Sequence, residues 1–170
     1  MAGRPQRSDA VEYYFKYIDL VTTDDVVALM EKQLGEAAEL FAHISEEKSL
    51  YRYAPGKWSI RQVVNHITDA ERTFAFRALW FARGFETALP SYDQNIAAAG
   101  AQADEVPWRA HVEEFRSVRL ATIAQFRNLP PDAWKRSGTA SDNYFTVQAL
   151  AFIVAGHFTH HAKIIRSQYL

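Results

Sequence analysis

A chain of 170 residues that is 48% hydrophobic and 14% aromatic has enough apolar matter for a packed core, which excludes wholesale disorder. Its 19 Lys and Arg stand against 20 Asp and Glu, a net charge of −1, so the basic excess that phosphate neutralisation needs is missing and no nucleic-acid partner is expected. It has no cysteine, so disulfides, thiolate nucleophiles and thiolate metal ligation are excluded, and any metal must sit on His, Asp or Glu.

The basic start, Met1 to Arg7, runs into Ser8-Asp9 with no apolar stretch, so no signal peptide is expected. The longest apolar run, Ala149 to Ala155, is far short of a membrane span. These features predict a cytoplasmic chain with no membrane partner. No repeat or linker divides it, and residues 1–170 are expected to form one domain.

The dominant period is helical. A short helix is predicted near Asp9 to Leu20, with Asp9 as its cap and Tyr13, Tyr14, Phe15 and Tyr17 as an adhesive surface. The first long helix is predicted over Thr23 to Ile44, with Val27, Met30, Leu34, Ala37, Ala38, Phe41 and Ile44 as its apolar stripe. A loop with the Pro55-Gly56 turn signal follows. The second long helix starts at Ser59, which forms a capping box with Gln62, and runs to about Ala82. The third starts near Pro107 and stops before Pro130-Pro131. The fourth starts after Thr146 and runs to the C-terminus. With no strand pattern, these elements predict an all-α fold, a four-helix bundle.

Residues Arg83 to Val106, between the second and third long helices, form a long connection with no pattern of its own. It is long enough to run back along a helix of roughly 35 Å. The second and third helices are therefore expected to be parallel, joined by a crossover, in an up-down-down-up order.

Six histidines are present, and the last helix holds the informative group, Gly156-His157-Phe158-Thr159-His160-His161. His157 and His161 are an i, i+4 pair on one helix face, within an apolar stripe. Two imidazoles there either hydrogen-bond to buried partners or ligate a metal, and the spacing favours ligands. Phe158 stands where a His-Glu-x-x-His protease has its glutamate, which disfavours that class. His66, on the second helix, is the best candidate for a third ligand. It lies roughly 10 Å from the start of its helix and His161 roughly 13 Å from the end of its own, so antiparallel packing brings them level. His160, at the stripe's edge, reads either as a pocket acid/base or as a surface residue. His43 and His111 read as structural or solvated.

Two charges fall on inner faces. Arg119 lies among Val112, Phe115 and Phe126, and Glu71 near Ile67 and Ala78. A buried arginine needs a carboxylate, so the two are expected to pair across the bundle. The alternatives are that Arg119 snorkels to solvent and that Arg77 is the partner of Glu71. Tyr92, Asp93, Gln94 and Asn95 of the crossover are expected either to border the histidine pocket or to satisfy their own backbone.

The stretch Tyr51-Arg52-Tyr53-Ala54-Pro55-Gly56-Lys57-Trp58-Ser59-Ile60-Arg61-Gln62-Val63-Val64-Asn65-His66, with Asp69 and Glu71-Arg72, resembles the first half of a DinB/YfiT-like protein. Thr146 to Leu150 and Gly156 to His161 resemble its second half. The resemblance covers about Tyr13 to Leu170. It implies an up-down-down-up bundle, often dimeric, with a divalent metal, nickel or zinc, on His66, His157 and His161. Members often carry Glu directly after the first histidine of the last helix, whereas this chain has Phe158. The function implied is that of a metal-dependent enzyme acting on a small molecule, a hydrolase or a transferase using a low-molecular-weight thiol. The other reading is a non-catalytic metal-binding or dimeric scaffold in a stress response.

Overall fold

Alternation of apolar and polar residues with helical period is realised as four long helices, in a computed structural model that describes residues 3–170. The N-terminal segment is more broken than the single predicted helix. Two 3-10 turns, Arg7–Asp9 and Glu12–Tyr14, precede one helical turn, α1 (Phe15–Ile18). The break has a cause: Ala10 is extended and bridges Phe145, which helical backbone does not allow. Asp9 therefore caps nothing downstream; its carboxylate accepts from the Gln6 N–H at 2.7 Å.

The first long helix, α2 (Val26–Ala42), starts at Asp25, whose side chain accepts from the Ala28 N–H. Its buried face is Val26, Met30, Gln33, Ala37, Leu40 and Phe41. The predicted stripe is thus turned by about one residue: Val27 and Leu34 are half-buried and Ala38 is exposed. A polar residue, Gln33, sits in the core because a buried partner, described below, draws it in.

The second, α3 (Ile60–Ala82), has the predicted Ser59/Gln62 capping box. The crossover is not featureless. It holds α4 (Gln94–Gly100) and a 3-10 turn, Ala103–Glu105. Short alanine-rich helices lack the long apolar period by which the others announce themselves.

After α5 (Trp108–Arg127) comes a feature absent from the sequence reading, an antiparallel hairpin of β1 (Ser137–Ala140) and β2 (Asn143–Thr146). Its two-residue turn, Ser141-Asp142, has both φ angles positive, 52° and 58°, as a type I′ hairpin requires. The last helix, α6 (Val147–Ile164), is buried on every side from Val147 to Phe158 and ends in a π-turn, Ile165–Tyr169. It is the central helix, so its "stripe" is most of its surface.

The order is up-down-down-up, matching the expectation. Contacts fix each direction. Glu71 meets Arg119 and Ala75 meets Gln125, near equal depths of α3 and α5, so these two run parallel. Glu31 pairs with Arg127 across the start of α2 and the end of α5, which are antiparallel. His66, early in α3, meets His157 and His161, late in α6, which are antiparallel too. Among the described residues no helix is long and apolar enough to cross a membrane.

Candidate metal centre

Three imidazoles converge between α3 and α6. His66 Nε2 lies 3.2 Å from His157 Nε2, and His161 Nε2 lies 3.1 Å from the same atom. The potential ligand atoms of all three lie within 4.8 Å of one another. A tetrahedral ion at roughly 2.0–2.1 Å from each imidazole nitrogen sets neighbouring nitrogens about 3.3–3.4 Å apart, close to what is seen.

The proton inventory sharpens the fit. An imidazole nitrogen has one in-plane direction, carrying either a proton or a lone pair. His157 Nε2 faces two others and can satisfy only one of them by hydrogen bonding. A shared cation satisfies all three lone pairs at once.

The rings are held neutral. Burial pulls His66 down to about 4. Burial, with His66, His160 and Lys16 adding to it, pulls His161 down to about 3. His157 is lowered well below its ordinary value, first by burial and then by His161, His66, His160 and Lys16. Neutral imidazole is the ligand form, so no proton has to leave before a metal binds at neutral pH.

Packing sets the ring orientations. Tyr17, on α1, meets His157 edge-on at 5.1 Å and His160 at 5.4 Å. Trp58 lies 5.0 Å from the His66 ring and Phe74 6.3 Å from the His157 ring. Tyr17 can come this close only because residue 156 is glycine: a Cβ there would lie 2.0 Å from the Tyr17 carbonyl oxygen.

His66 and His157 also line a pocket of about 210 Å³. Its other walls are the N-terminal tyrosines Tyr13, Tyr14 and Tyr17, then Ala70, Thr73, Phe74 and Arg77 of α3, Tyr92 and Gln94 of the crossover, and Ser141 of the hairpin turn. Both readings of the crossover residues hold in part. Tyr92 and Gln94 border the pocket, while the Asp93 carboxylate accepts from the N–H groups of Asn95 and Ile96 to start α4. A larger cavity, about 1000 Å³, lies at the opposite end of the bundle between the start of α2 and the end of α5, and its lining contains no histidine.

His160 stays half-buried beside the cluster, its ring 5.0 Å from that of His161, and outside the convergence. His43 is exposed, and His111 is buried with Nε2 2.8 Å from the Ala103 carbonyl. Glu71 and Arg119 do pair, fully buried: Arg119 Nε donates to both carboxylate oxygens at 2.9 and 3.0 Å, and Nη2 lies 2.8 Å from Oε2. Arg119 Nη1 donates to Gln33 Oε1 at 2.6 Å, and Gln33 Nε2 donates on to Ala155 O and Thr159 Oγ1. This network joins all four long helices beneath the histidines. Phe158 is part of its cover: it stacks with Phe115, and its ring centre lies 5.2 Å from the Arg119 guanidinium carbon.

Arg77, Ser141 and Gln33 are the residues that sequence reasoning gave no such place. Gln33 left a trace, a polar residue three positions from Met30 and four from Ala37 on one face. Ser141 left none.

The chain belongs to the DinB superfamily, whose model matches residues 29–165. Among solved structures it is similar to YfiT from Bacillus subtilis, a probable metal-dependent hydrolase with an unusual four-helix bundle topology. That match has a TM-score of 0.71 and 20% identity, over 97% of this chain and 90% of that one. It is also similar to a mycothiol-dependent maleylpyruvate isomerase, with a TM-score of 0.70 and 13% identity, over 86% of this chain. This chain spans 61% of that protein's length. At such identities the likeness is one of fold. No curated protein sequence matches the chain.

Proposed function

We propose that this protein is a metal-dependent enzyme in which His66, His157 and His161 hold a divalent ion, nickel or zinc, at the wall of a small-molecule pocket. The observation that carries the reading is the convergence of three neutral imidazole nitrogens on one point, those of buried His66 and His157 and of half-buried His161. An all-imidazole donor set suits zinc and nickel and leaves a coordination position open. An ion bound there supplies Lewis acidity, lowering the pKa of water or of a thiol and polarising an electrophile.

The chain's own groups do the rest. Tyr17, Trp58 and Phe74 pack against the His66 and His157 rings and fix their planes. His160 is also lowered, by burial first and then by Lys16 and Lys163. It is neutral at pH 7 and can accept a proton at the edge of the site. With no cysteine in the chain, any thiol chemistry takes its sulfur from a small molecule. Hydrolysis and a mycothiol-dependent isomerisation are the reactions of the solved relatives, and hydrolysis and thiol-dependent S-transfer are the two reaction classes proposed for this chain. A homodimer is part of the proposal, with sedimentation as its check.

The test is turnover of the metal-loaded protein with a panel of esters and electrophiles, with and without small thiols. The proposal expects metal-dependent turnover that His157→Ala abolishes. A protein inert with every ester and every thiol is the non-catalytic scaffold instead.

A further inference from the structure

Three arginines are buried among the described residues: Arg61, Arg77 and Arg119. Arg61 pairs with Glu46 and Arg119 with Glu71. Arg77 is 4% exposed, yet none of the ion pairs among the described residues includes it. Its hydrogen bonds are to neutral oxygens, from Nη2 to Ser141 Oγ at 2.8 Å and to Pro90 O at 3.5 Å. The Phe74 ring lies 5.8 Å from its guanidinium carbon. The Tyr14 phenol beside it is pushed up by burial, so it stays protonated and offers no negative charge. Of the two carboxylates on its own helix, Glu71 is spent on Arg119 and Asp69 pairs with Arg72. A guanidinium has five donors and cannot lose its charge. Burying one without an anion is costly, and an anion that arrives with a ligand removes that cost.

The position matters as much as the charge. Arg77 follows His66 by three helical turns, so both face the same way along α3, with their backbones roughly 16 Å apart along the axis. Both line the same pocket. We propose that Arg77 is an anion subsite that takes a carboxylate of the substrate, so that the site acts on a small organic acid held between Arg77 and the three histidines. The part concerning the reacting end rests on the metal reading; the subsite itself does not. One planar guanidinium suits a planar carboxylate, whereas a phosphate dianion collects several cations or helix N–H groups. The other charges nearby do not oppose it. Lys16 lies at the tyrosine rim, 3.6 Å from the Tyr13 ring centre, and Asp69 is paired with Arg72.

The test uses adipate and its neutral isostere adipamide as probes, on metal-free and metal-loaded protein. Adipate at tenfold over its Kd is expected to raise the melting midpoint by about 3–6 °C, and adipamide is expected to do much less. Arg77→Met should abolish the difference between the two probes. In the wild-type protein the Arg77 Nε–Hε resonance should move on adding adipate and not on adding adipamide, a readout that needs no variant to fold. Equal effects of the two probes, or an adipate effect that survives in Arg77→Met, would overturn the subsite. An adipate effect that depends on Arg77 but is identical with and without metal keeps the subsite and overturns the placement of the bound acid between Arg77 and the histidines.

Discussion

Neutral, buried His66 and His157 are exposed to water only when the chain unfolds, and that links stability to pH. Unfolded histidine titrates near its ordinary 6.5, while folded His66 does so at about 4 and burial holds His157 well below 6.5. Between those values the unfolded chain binds the extra protons, so stability falls as pH falls. For the metal-free protein each ring costs at most about 1.4 kcal/mol per pH unit in that window. Urea melts from pH 7 to pH 4 check this, and a flat profile contradicts it. The buried Glu71–Arg119 pair makes a second prediction. Glu71→Gln or Arg119→Met alone should cost about 3–5 kcal/mol, because either strands a buried polar group or charge. Replacing both by Leu and Met should cost less than either single change, which denaturant melts of the three variants will read. At this scale the sequence was informative wherever spacing repeats. His157 and His161 declare themselves at i, i+4, and Glu71 and Arg119 stand out as charges on apolar faces. Arg77 carries the same kind of signal, but nothing local says that its carboxylate is missing; that depends on which partner Glu71 takes.

Elements became legible in proportion to their length. The four long helices follow from their apolar period, with ends placed within a few residues by Ser59, Pro107 and Thr146. The hairpin did not show, because β1 is Ser-Gly-Thr-Ala, poor in the β-branched and aromatic residues by which strands are recognised. Its glycine is a tertiary requirement: a Cβ at Gly138 would lie 2.2 Å from the Phe81 ring. Gly156 is the corresponding device where α1 crosses α6. Gly156→Ala should push the Tyr17 backbone away and cost about 1–3 kcal/mol in overpacking. It should also loosen the edge contacts of Tyr17 with His157 and His160. A melting midpoint equal to that of the wild type would show that the crossing is softer than the structure implies. In the crossover, Gln94 contributes an amide to the pocket. Gln94→Ala should lower kcat/KM roughly fivefold, the worth of one hydrogen bond of about 1 kcal/mol, with metal content unchanged.

At the scale of the whole molecule, topology and site explain each other. The long crossover allows α3 and α5 to run parallel, which leaves α6 antiparallel to α3 and sets His66 level with His157 and His161. An up-down-up-down bundle of the same helices would separate them by up to about 12 Å. The same crossover, the N-terminal tyrosines and the hairpin turn then close the pocket over that point. Length and period made the bundle order readable in the sequence. The pocket was not readable, because its walls come from five separate segments joined only by folding. X-ray absorption on protein loaded with nickel or zinc tests the central claim most directly. The account predicts one ion per chain, with imidazole nitrogens at roughly 2.0–2.1 Å and no stoichiometric ion in His157→Ala. A wild-type protein that retains no stoichiometric metal, or a bound ion with fewer than three imidazole neighbours, would contradict it.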